Sequence, residues 1–190
     1  TLIQFYGASA KESEDYGKIV NPRQFDRLVS LIDVSKIFHG GDYDRDLLYI
    51  EPTILDNVAW SDKVMEDEIF GPILPVMGYN DINEAIEIIN SNPKPLAFYV
   101  FSEGKRIQDM TINQISFGGG CINDTVSHVA TPYMPFGGVG NSGMGYYHGK
   151  ESFYTFSHSK GLIKKSTKLD MKLIFPPYKD RVKIIKKVLK

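Results

Sequence analysis

Apolar residues recur along the chain at two spacings, one typical of helices and one typical of strands. Helical spacing predicts three helices, over residues 21–33, 81–90 and 104–113. The first begins at Asn21-Pro22, a pair suited to the N-cap and first turn of a helix. The second begins with an aspartate followed three residues later by a glutamate, which is a capping-box pattern. Start signals and periodicity agree, so we expect both segments to be helical.

Short β-like runs lie between and beside these helices. They cover residues 36–39, 47–55, 73–79, 96–101 and 114–117. Strands that alternate with helices of about ten residues are typical of βαβ units. The pattern therefore predicts an α/β fold, a three-layer α/β/α sandwich whose sheet is mostly parallel.

The pattern changes after residue 118. Glycine-dense segments run to Gly149, and the alternating stretch Ser152 to Phe156 predicts a long strand outside the βαβ rhythm. Beyond two prolines, residues 180–190 place apolar side chains near one helical face and lysines on the other. We divide the chain into an α/β portion, a glycine-rich loop with its strand, and a basic extension, with bounds 1–121, 122–161 and 162–190.

Composition is that of an ordinary soluble domain, with 190 residues, 42% hydrophobic and 24% charged. No apolar run approaches the roughly 20 residues that span a bilayer, and a cytoplasmic location is the default. A single cysteine, Cys121, excludes an internal disulfide, and the four histidines show no metal-ligand spacing, so we predict no metal. Net charge is −1, but residues 160–190 hold ten lysines. Such a tail is suited to an anionic membrane surface, to nucleic acid or to an acidic protein face, and a solvated, partly disordered end is an equally good interpretation.

The run from Glu68 to Pro72 carries candidate binding chemistry just before a predicted strand. A carboxylate can accept hydrogen bonds from both hydroxyls of a ribose, and an aromatic ring can lie against a flat heterocycle. Glu68 and Phe70 therefore suit a nucleotide sugar and its base. On these grounds alone, a surface acid and a core aromatic are the commoner interpretation.

Two further segments carry weaker signals. Cys121 follows three glycines, and a cysteine nucleophile would need a base, for which His128 is near in sequence only. A small apolar role is commoner for a lone cysteine. Gly138 to Gly143 is a formal G-x-G-x-x-G, but no strand leads into it and no helix follows at once. A glycine loop packed against other backbone is the better interpretation.

Three motifs in this order resemble the aldehyde dehydrogenase superfamily. They are E-I-F-G-P at 68–72, G-G-x-x-I-N-D at 118–124 and P-F-G-G-V-G-N-S-G-M-G-Y-Y-H-G-K at 135–150. The likeness is strongest to the class 3 or fatty aldehyde dehydrogenase branch and extends from about residue 1 to about residue 177. The resemblance implies NAD(P)-dependent oxidation of aldehydes to carboxylic acids through a cysteine thiohemiacetal.

The resemblance also implies roles for particular residues. Glu68 would bind the nicotinamide ribose of NAD or NADP, and Phe70 would pack near its ring. Phe136 would line the aldehyde tunnel together with His148, while Asn123 would brace the loop that carries the nucleophile. Cys121 does not match the nucleophile position, so no catalytic residue is assigned to this chain.

By the same comparison, the nucleophile, the general base and the main dinucleotide-binding domain lie before Thr1. We therefore expect a chain that begins inside a domain and is inactive alone. The substrate would be an aliphatic or aromatic aldehyde, and the strand around 153–158 would pair with the partner subunit of a homodimer. No nucleic acid partner is expected.

The tail from Tyr178 onward resembles the C-terminal extension of fatty aldehyde enzymes. A basic amphipathic helix is suited to membrane contact. The sequence does not choose between three roles for this tail: a cover over the substrate entrance, a membrane anchor and a disordered end. Three other functions are also open for the chain. They are a stand-alone dinucleotide-binding module, a non-catalytic interaction or oligomerisation module with a membrane-associating tail, and a small thiol enzyme that uses Cys121.

Overall fold

The computed structural model describes residues 1–168, 175–178 and 182–188. Seven helices occur in this part of the chain: α1 Leu2–Tyr6, α2 Pro22–Val29, α3 Ile82–Ser91, α4 Lys105–Gln114, α5 Ser127–Ala130, α6 Gly149–Thr155 and α7 Val182–Val188. The strands there are β1 Ile37–His39, β2 Tyr43–Asp44, β3 Tyr49–Ile50, β4 Thr53–Leu55, β5 Ile73–Pro75, β6 Ala97–Val100 and β7 Gly119–Ile122.

The chain folds as two compact units. The first comprises Thr1–Pro93 together with Glu103–Ile115, and the second comprises Lys94–Ser102 together with Ser116–Lys190. Each unit is therefore built from two separate stretches of sequence, because α4 belongs to the first unit while β6 and β7 belong to the second.

Helix α2 anchors the first unit. Its N-cap is Asn21, whose side chain accepts a hydrogen bond from the backbone N–H of Gln24 at 2.8 Å, as predicted. Phe25 and Leu28 are fully buried on its inner face. They share one hydrophobic core with side chains from the strands and the following loops, namely Ile50, Leu55, Val58, Val64 and Ile73. The helix ends at Val29, four residues before the predicted end.

The first unit contains one mixed sheet and one antiparallel pair of strands. β4 pairs antiparallel with β1 and parallel with β5, with Thr53 opposite Ile73. β2 and β3 form a separate antiparallel pair. The predicted α/β class is confirmed, and the strands form both parallel and antiparallel pairs. The predicted run 47–55 is divided into β3 and β4 at Pro52, which cannot donate to a strand ladder.

Helices α3 and α4 contact each other in the first unit. Asp81 caps α3 by accepting from the N–H of Asn83 at 2.7 Å. The capping-box glutamate, Glu84, reaches one residue further back and accepts from the N–H of Asn80 at 3.2 Å. Asn90 donates from its side chain to the carbonyl of Gln114 at 2.9 Å, which ties the ends of the two helices together.

In the second unit β6 and β7 form a parallel pair, with Phe98 opposite Gly120. The predicted strand over 114–117 was wrong in position, because α4 continues to Gln114 and β7 begins at Gly119. Gly119 and Gly120 lie in this strand, and Gly118 directly precedes it. A Cβ on Gly120 would overlap the carbonyl oxygen of Phe98, so only glycine allows this close approach of the backbones.

The predicted long strand over 152–156 was also wrong. The structure forms α6 there, and the Ser152 hydroxyl accepts from the N–H of His148 at 2.8 Å where the helix begins. A strand needs a neighbouring strand to satisfy its backbone groups, whereas a helix satisfies most of them itself. Among the described residues no strand pairs with this segment. The alternation of aromatic and polar residues was therefore not enough to specify a strand.

The basic tail contains α7, within the predicted helix over 180–190. Four positions of the predicted helix lie outside the described residues, namely Asp180, Arg181, Leu189 and Lys190. None of the helices in the described part of the chain has the length and apolar character needed to cross a membrane.

Candidate functional site

The turn at residues 68–72 lies beside α2 in the first unit. Glu68 is exposed, and Phe70 is 74% exposed to solvent. Phe70 has a φ of 47°, in the left-handed region that non-glycine residues rarely adopt. The next residue must be glycine, because a Cβ on Gly71 would overlap the buried Leu28 side chain.

Glu68 and Phe70 line one open pocket of about 610 Å³. The other lining residues come from α2 and from the segment before it: Lys18, Ile19, Val20, Gln24 and Arg27. The pocket thus combines a carboxylate, two cations, an amide and an exposed aromatic ring.

Sequence reasoning missed Gln24 and Arg27. A local signal was available, since the two residues are three apart on a predicted helix and therefore lie on the same face. Nothing in the sequence indicated that this face meets the turn at 68–72, which follows more than forty residues later. Both side chains are hydrogen-bonded to the main chain of that turn.

The second unit holds an aromatic cluster around Phe136, which is half-buried. Phe136 and Tyr147 form an antiparallel bridge with two backbone hydrogen bonds, of 2.9 and 3.0 Å. The Phe136 ring stacks on the imidazole of His148 with centroids 5.9 Å apart, and its centroid lies 5.7 Å from that of His128. The two residues predicted to line an aldehyde tunnel, Phe136 and His148, are thus in direct ring contact.

His148 has unusual surroundings. Its φ is 80°, and its ring meets Tyr147 edge-on with centroids 4.5 Å apart. Its Nδ1 atom is buried and has no hydrogen-bond partner among the described residues. A buried polar atom without a partner is costly, so this nitrogen lacks a stabilising contact within the described part of the chain.

Cys121 and His128 are close in space, although seven positions separate them in the sequence. The sulfur lies 3.7 Å from Nδ1 of His128, a contact that sequence reasoning left open. His128 is 5% exposed, and its ring also meets the ring of Tyr99 edge-on with centroids 5.6 Å apart. The imidazole therefore packs against β6 and against β7, the strand that contains Cys121. Among the described residues no group of three His, Cys, Asp or Glu side chains could hold a metal ion.

Asn123 joins the ends of β6 and β7. Its side chain accepts from the N–H of Ser102 at 2.8 Å and donates to the carbonyl of Ser102 at 3.0 Å. Its own N–H donates to Val100 at 2.8 Å, and its φ is 55°. In the next position, the hydrogen bond from the Ser127 side chain lowers the pKa of Asp124. Asn123 therefore holds the loop that leaves β6, and its predicted support of a nucleophile loop stays a prediction.

The glycine-rich segment is packed against its own backbone, as predicted. Added Cβ atoms on Gly137 and Gly138 would overlap the carbonyl oxygens of Gly145 and Ser142. A single 3₁₀ turn, Gly140–Ser142, occupies the centre of the formal G-x-G-x-x-G. This arrangement differs from the strand, turn and long helix with which a dinucleotide fingerprint binds pyrophosphate. The loop instead brings Phe136 next to Tyr147.

Comparison with known proteins decides the family. The sequence profile of the aldehyde dehydrogenase family matches residues 5–162. The chain belongs to this family. The resemblance carried by the motifs at 68–72, 118–124 and 135–150 is thereby confirmed, and family 3 members among the relatives confirm the predicted branch.

Individual relatives cover the whole chain or nearly so. The 4,4'-diaponeurosporen-aldehyde dehydrogenase of Staphylococcus aureus is 51% identical over 100% of this chain and 42% of its own length. The dimeric NADP-preferring aldehyde dehydrogenase of Mus musculus is 47% identical over 93% of this chain and 40% of its own length. A solved structure described as the substrate-bound state of Staphylococcus aureus AldH superposes with a TM-score of 0.93, at 51% identity, over 100% of this chain and 42% of that chain. The chain spans about two fifths of the relatives it matches.

Proposed function

We propose that this chain is the C-terminal part of an NAD(P)-dependent aldehyde dehydrogenase that oxidises aldehydes to carboxylic acids. The observation that carries the proposal is the 51% identity along the entire chain to an aldehyde dehydrogenase. The pocket that joins Glu68 and Phe70 supports it independently, because its chemistry suits a nucleoside. In the intact catalytic domain we propose the three-layer α/β/α arrangement.

The first unit would contribute to binding of NAD or NADP, with most of the cofactor held by the preceding domain. The Glu68 carboxylate would accept hydrogen bonds from the hydroxyls of the nicotinamide ribose, and Phe70 would present its exposed ring to a flat ring face. When bound, the nicotinamide accepts the hydride that the oxidation releases. The name of the mouse relative, which prefers NADP, supports a pyridine nucleotide without choosing between the two.

The second unit would form part of the substrate wall. Phe136 and Tyr147 offer apolar ring surface, and the His148 ring stacks on Phe136 beside them. An apolar aldehyde, aliphatic or aromatic, suits such a lining because ligand pockets combine mostly apolar walls with a few polar groups. Asn123 would act behind this wall by holding the β6 and β7 ends in place.

The proposed division of labour is tested by comparing three proteins in an aldehyde oxidation assay that follows NAD(P)H absorbance. The full-length enzyme that carries this chain should be active, and its Cys121→Ala variant should retain at least about half of its kcat/KM. The 190-residue chain alone should show no turnover, since the nucleophile is supplied from outside it. Loss of activity in Cys121→Ala with an unchanged melting temperature would favour the thiol enzyme that uses Cys121 and His128.

We also propose that the intact enzyme is a cytoplasmic homodimer and that the basic tail contacts membranes. The name of the mouse relative supports the dimer, as do large exposed apolar side chains after Tyr147. Phe153 and Phe156 are two of them. The lysines of α7 support an anionic surface as the partner of the tail.

Truncation of the full-length enzyme after Gly161 separates these two proposals. Sedimentation should show a dimer before and after truncation, whereas co-flotation with vesicles that contain anionic phosphatidylserine should fall at least fivefold. Vesicles of neutral phosphatidylcholine are the control for a charge-dependent contact. A monomer in both forms would contradict the dimer, and unchanged flotation would contradict the membrane role of the tail.

A further inference from the structure

Two side chains of α2 are hydrogen-bonded to the main chain of the turn that carries Phe70. Arg27 donates from Nη2 to the carbonyl oxygen of Ile69, and Gln24 donates from Nε2 to the carbonyl oxygen of Phe70 at 3.2 Å. The two side chains are also joined to each other, because Nε of Arg27 donates to Oε1 of Gln24 at 2.9 Å. They form one linked unit, which we call the α2 clamp.

The α2 clamp holds both peptide groups that flank Phe70. The Ile69 carbonyl belongs to the peptide group before the Phe70 Cα atom, and the Phe70 carbonyl belongs to the one after it. Because each peptide group is planar, fixing both of them fixes φ and ψ of Phe70. These two angles determine the direction in which the ring leaves the backbone.

Phe70 needs such support from outside. Its φ of 47° is unfavourable for a residue with a Cβ atom, so without external hydrogen bonds the chain would leave this conformation. Its ring is 74% exposed, so packing of the ring itself holds it only weakly. The two hydrogen bonds from the α2 clamp therefore stabilise a conformation that the local sequence disfavours.

Helix α2, which carries the α2 clamp, is anchored in the hydrophobic core. Leu28, on the same helix, is fully buried, and its side chain occupies the space that a Cβ on Gly71 would need. The Asn21 cap fixes the first turn of the helix, where Gln24 lies. The position of the clamp is thus set by the hydrophobic core, and the clamp transmits that position to the turn.

We propose that Gln24 and Arg27 are positioning residues that set the dinucleotide affinity of the enzyme through the orientation of the Phe70 ring. This inference rests on the proposed function, in which Phe70 lies against the nicotinamide. It adds a role for two residues of a helix whose fold requires neither of them, since both point out of the core into the pocket that Phe70 lines.

The test measures NADH and NADPH dissociation constants of the full-length enzyme by fluorescence. Gln24→Met removes the donor to Phe70, and Gln24→Glu does so while it keeps an acceptor for Arg27. Each should weaken binding by about fivefold, the typical effect of one hydrogen bond. The KM for aldehyde should stay within about twofold, and Arg27→Lys should lose less affinity than Arg27→Met. Arg23→Met, exposed on the same helix, is the matched control.

A double-mutant cycle distinguishes positioning from direct contact with the dinucleotide. In the Phe70→Ala background no ring remains to be oriented, so Gln24→Met should cause no further loss of affinity. A full additional fivefold loss there would overturn the proposal, because Gln24 would then act without Phe70. An equal rise of the aldehyde KM, or equal losses in Arg23→Met, would also overturn it in favour of general disruption of the fold.

The outcome for Phe70→Ala alone separates this proposal from the proposed function. If Phe70→Ala weakens dinucleotide binding while the Gln24 and Arg27 variants do not, the α2 clamp is contradicted and the assignment of Phe70 stands. If Phe70→Ala leaves the affinity unchanged, the assignment of Phe70 in the proposed function fails, and the α2 clamp fails with it.

Discussion

Replacement of Glu68 by Gln in the full-length enzyme should weaken binding of NAD(P)H about 10- to 100-fold. The variant keeps the size and shape of the side chain but removes the charge that strengthens hydrogen bonds from the ribose hydroxyls. Two charge-assisted bonds lost or weakened account for an effect of this size. Fluorescence titration measures the dissociation constant directly, and steady-state kinetics should show the KM for the dinucleotide rising with it.

Glu66→Gln is the matched control, because Glu66 is an exposed glutamate two residues away and does not line the pocket. It should leave the dissociation constant within about twofold of the unmodified enzyme. Equal binding by the Glu68→Gln and unmodified enzymes would remove Glu68 from the cofactor site. The interpretation of the motif at 68–72 would then have to change.

Replacement of Gly120 by Ala should lower the melting temperature of the full-length enzyme by roughly 5 °C or more. The added Cβ would overlap the carbonyl oxygen of Phe98, and backbone atoms of β6 cannot move aside as a flexible side chain would. Separation of β6 from β7 would also disturb Asn123, whose hydrogen bonds link the ends of both strands. Differential scanning calorimetry of the purified variant is the measurement.

Gly161→Ala serves as the control, because a Cβ at Gly161 meets no atom within 4 Å. Its melting temperature should match that of the unmodified enzyme within about 1 °C. If Gly120→Ala melted at the same temperature as Gly161→Ala, the close approach of β6 and β7 at this position would be contradicted.

Helices with strong local signals were predicted well from the sequence. The beginning of α2 follows from Asn21-Pro22, and the beginning of α3 follows from Asp81, because caps satisfy the first N–H groups of a helix through neighbouring side chains. These are interactions between residues two or three apart, so a sequence window contains all the participants. The ends were less certain, as the early end of α2 at Val29 shows.

Strands were predicted less well, because each depends on a partner that is distant in sequence. The glycines at 119 and 120 are typical of a turn, but this segment forms a strand because it pairs with β6, with Gly120 opposite Phe98. The segment 152–156 has strand-like alternation, but it forms part of α6 in the absence of a strand to pair with it in the described chain. Alternation indicates which faces side chains occupy and does not provide a hydrogen-bonding partner.

The candidate site shows the same division between local and distant information. Motif order pointed to Glu68, Phe70, Phe136 and His148, and the structure brings each pair together, the first two around one pocket and the last two in ring contact. Gln24 and Arg27 escaped prediction, as did the 3.7 Å contact of Cys121 with His128. Hydrogen bonds across forty residues have no sequence signature in a single chain.

By itself, the amino-acid sequence determined the α/β class, the helices with good caps and the family to which the chain belongs. These depend on short-range periodicity, on capping chemistry and on the order of motifs, all of which lie within the sequence. Only the tertiary structure decided where the strands pair, why residues 118–120 are glycines and which side chains hold Phe70 in a left-handed conformation. Each of these depends on which backbone atoms meet after folding, and burial in a shared core sets those meetings.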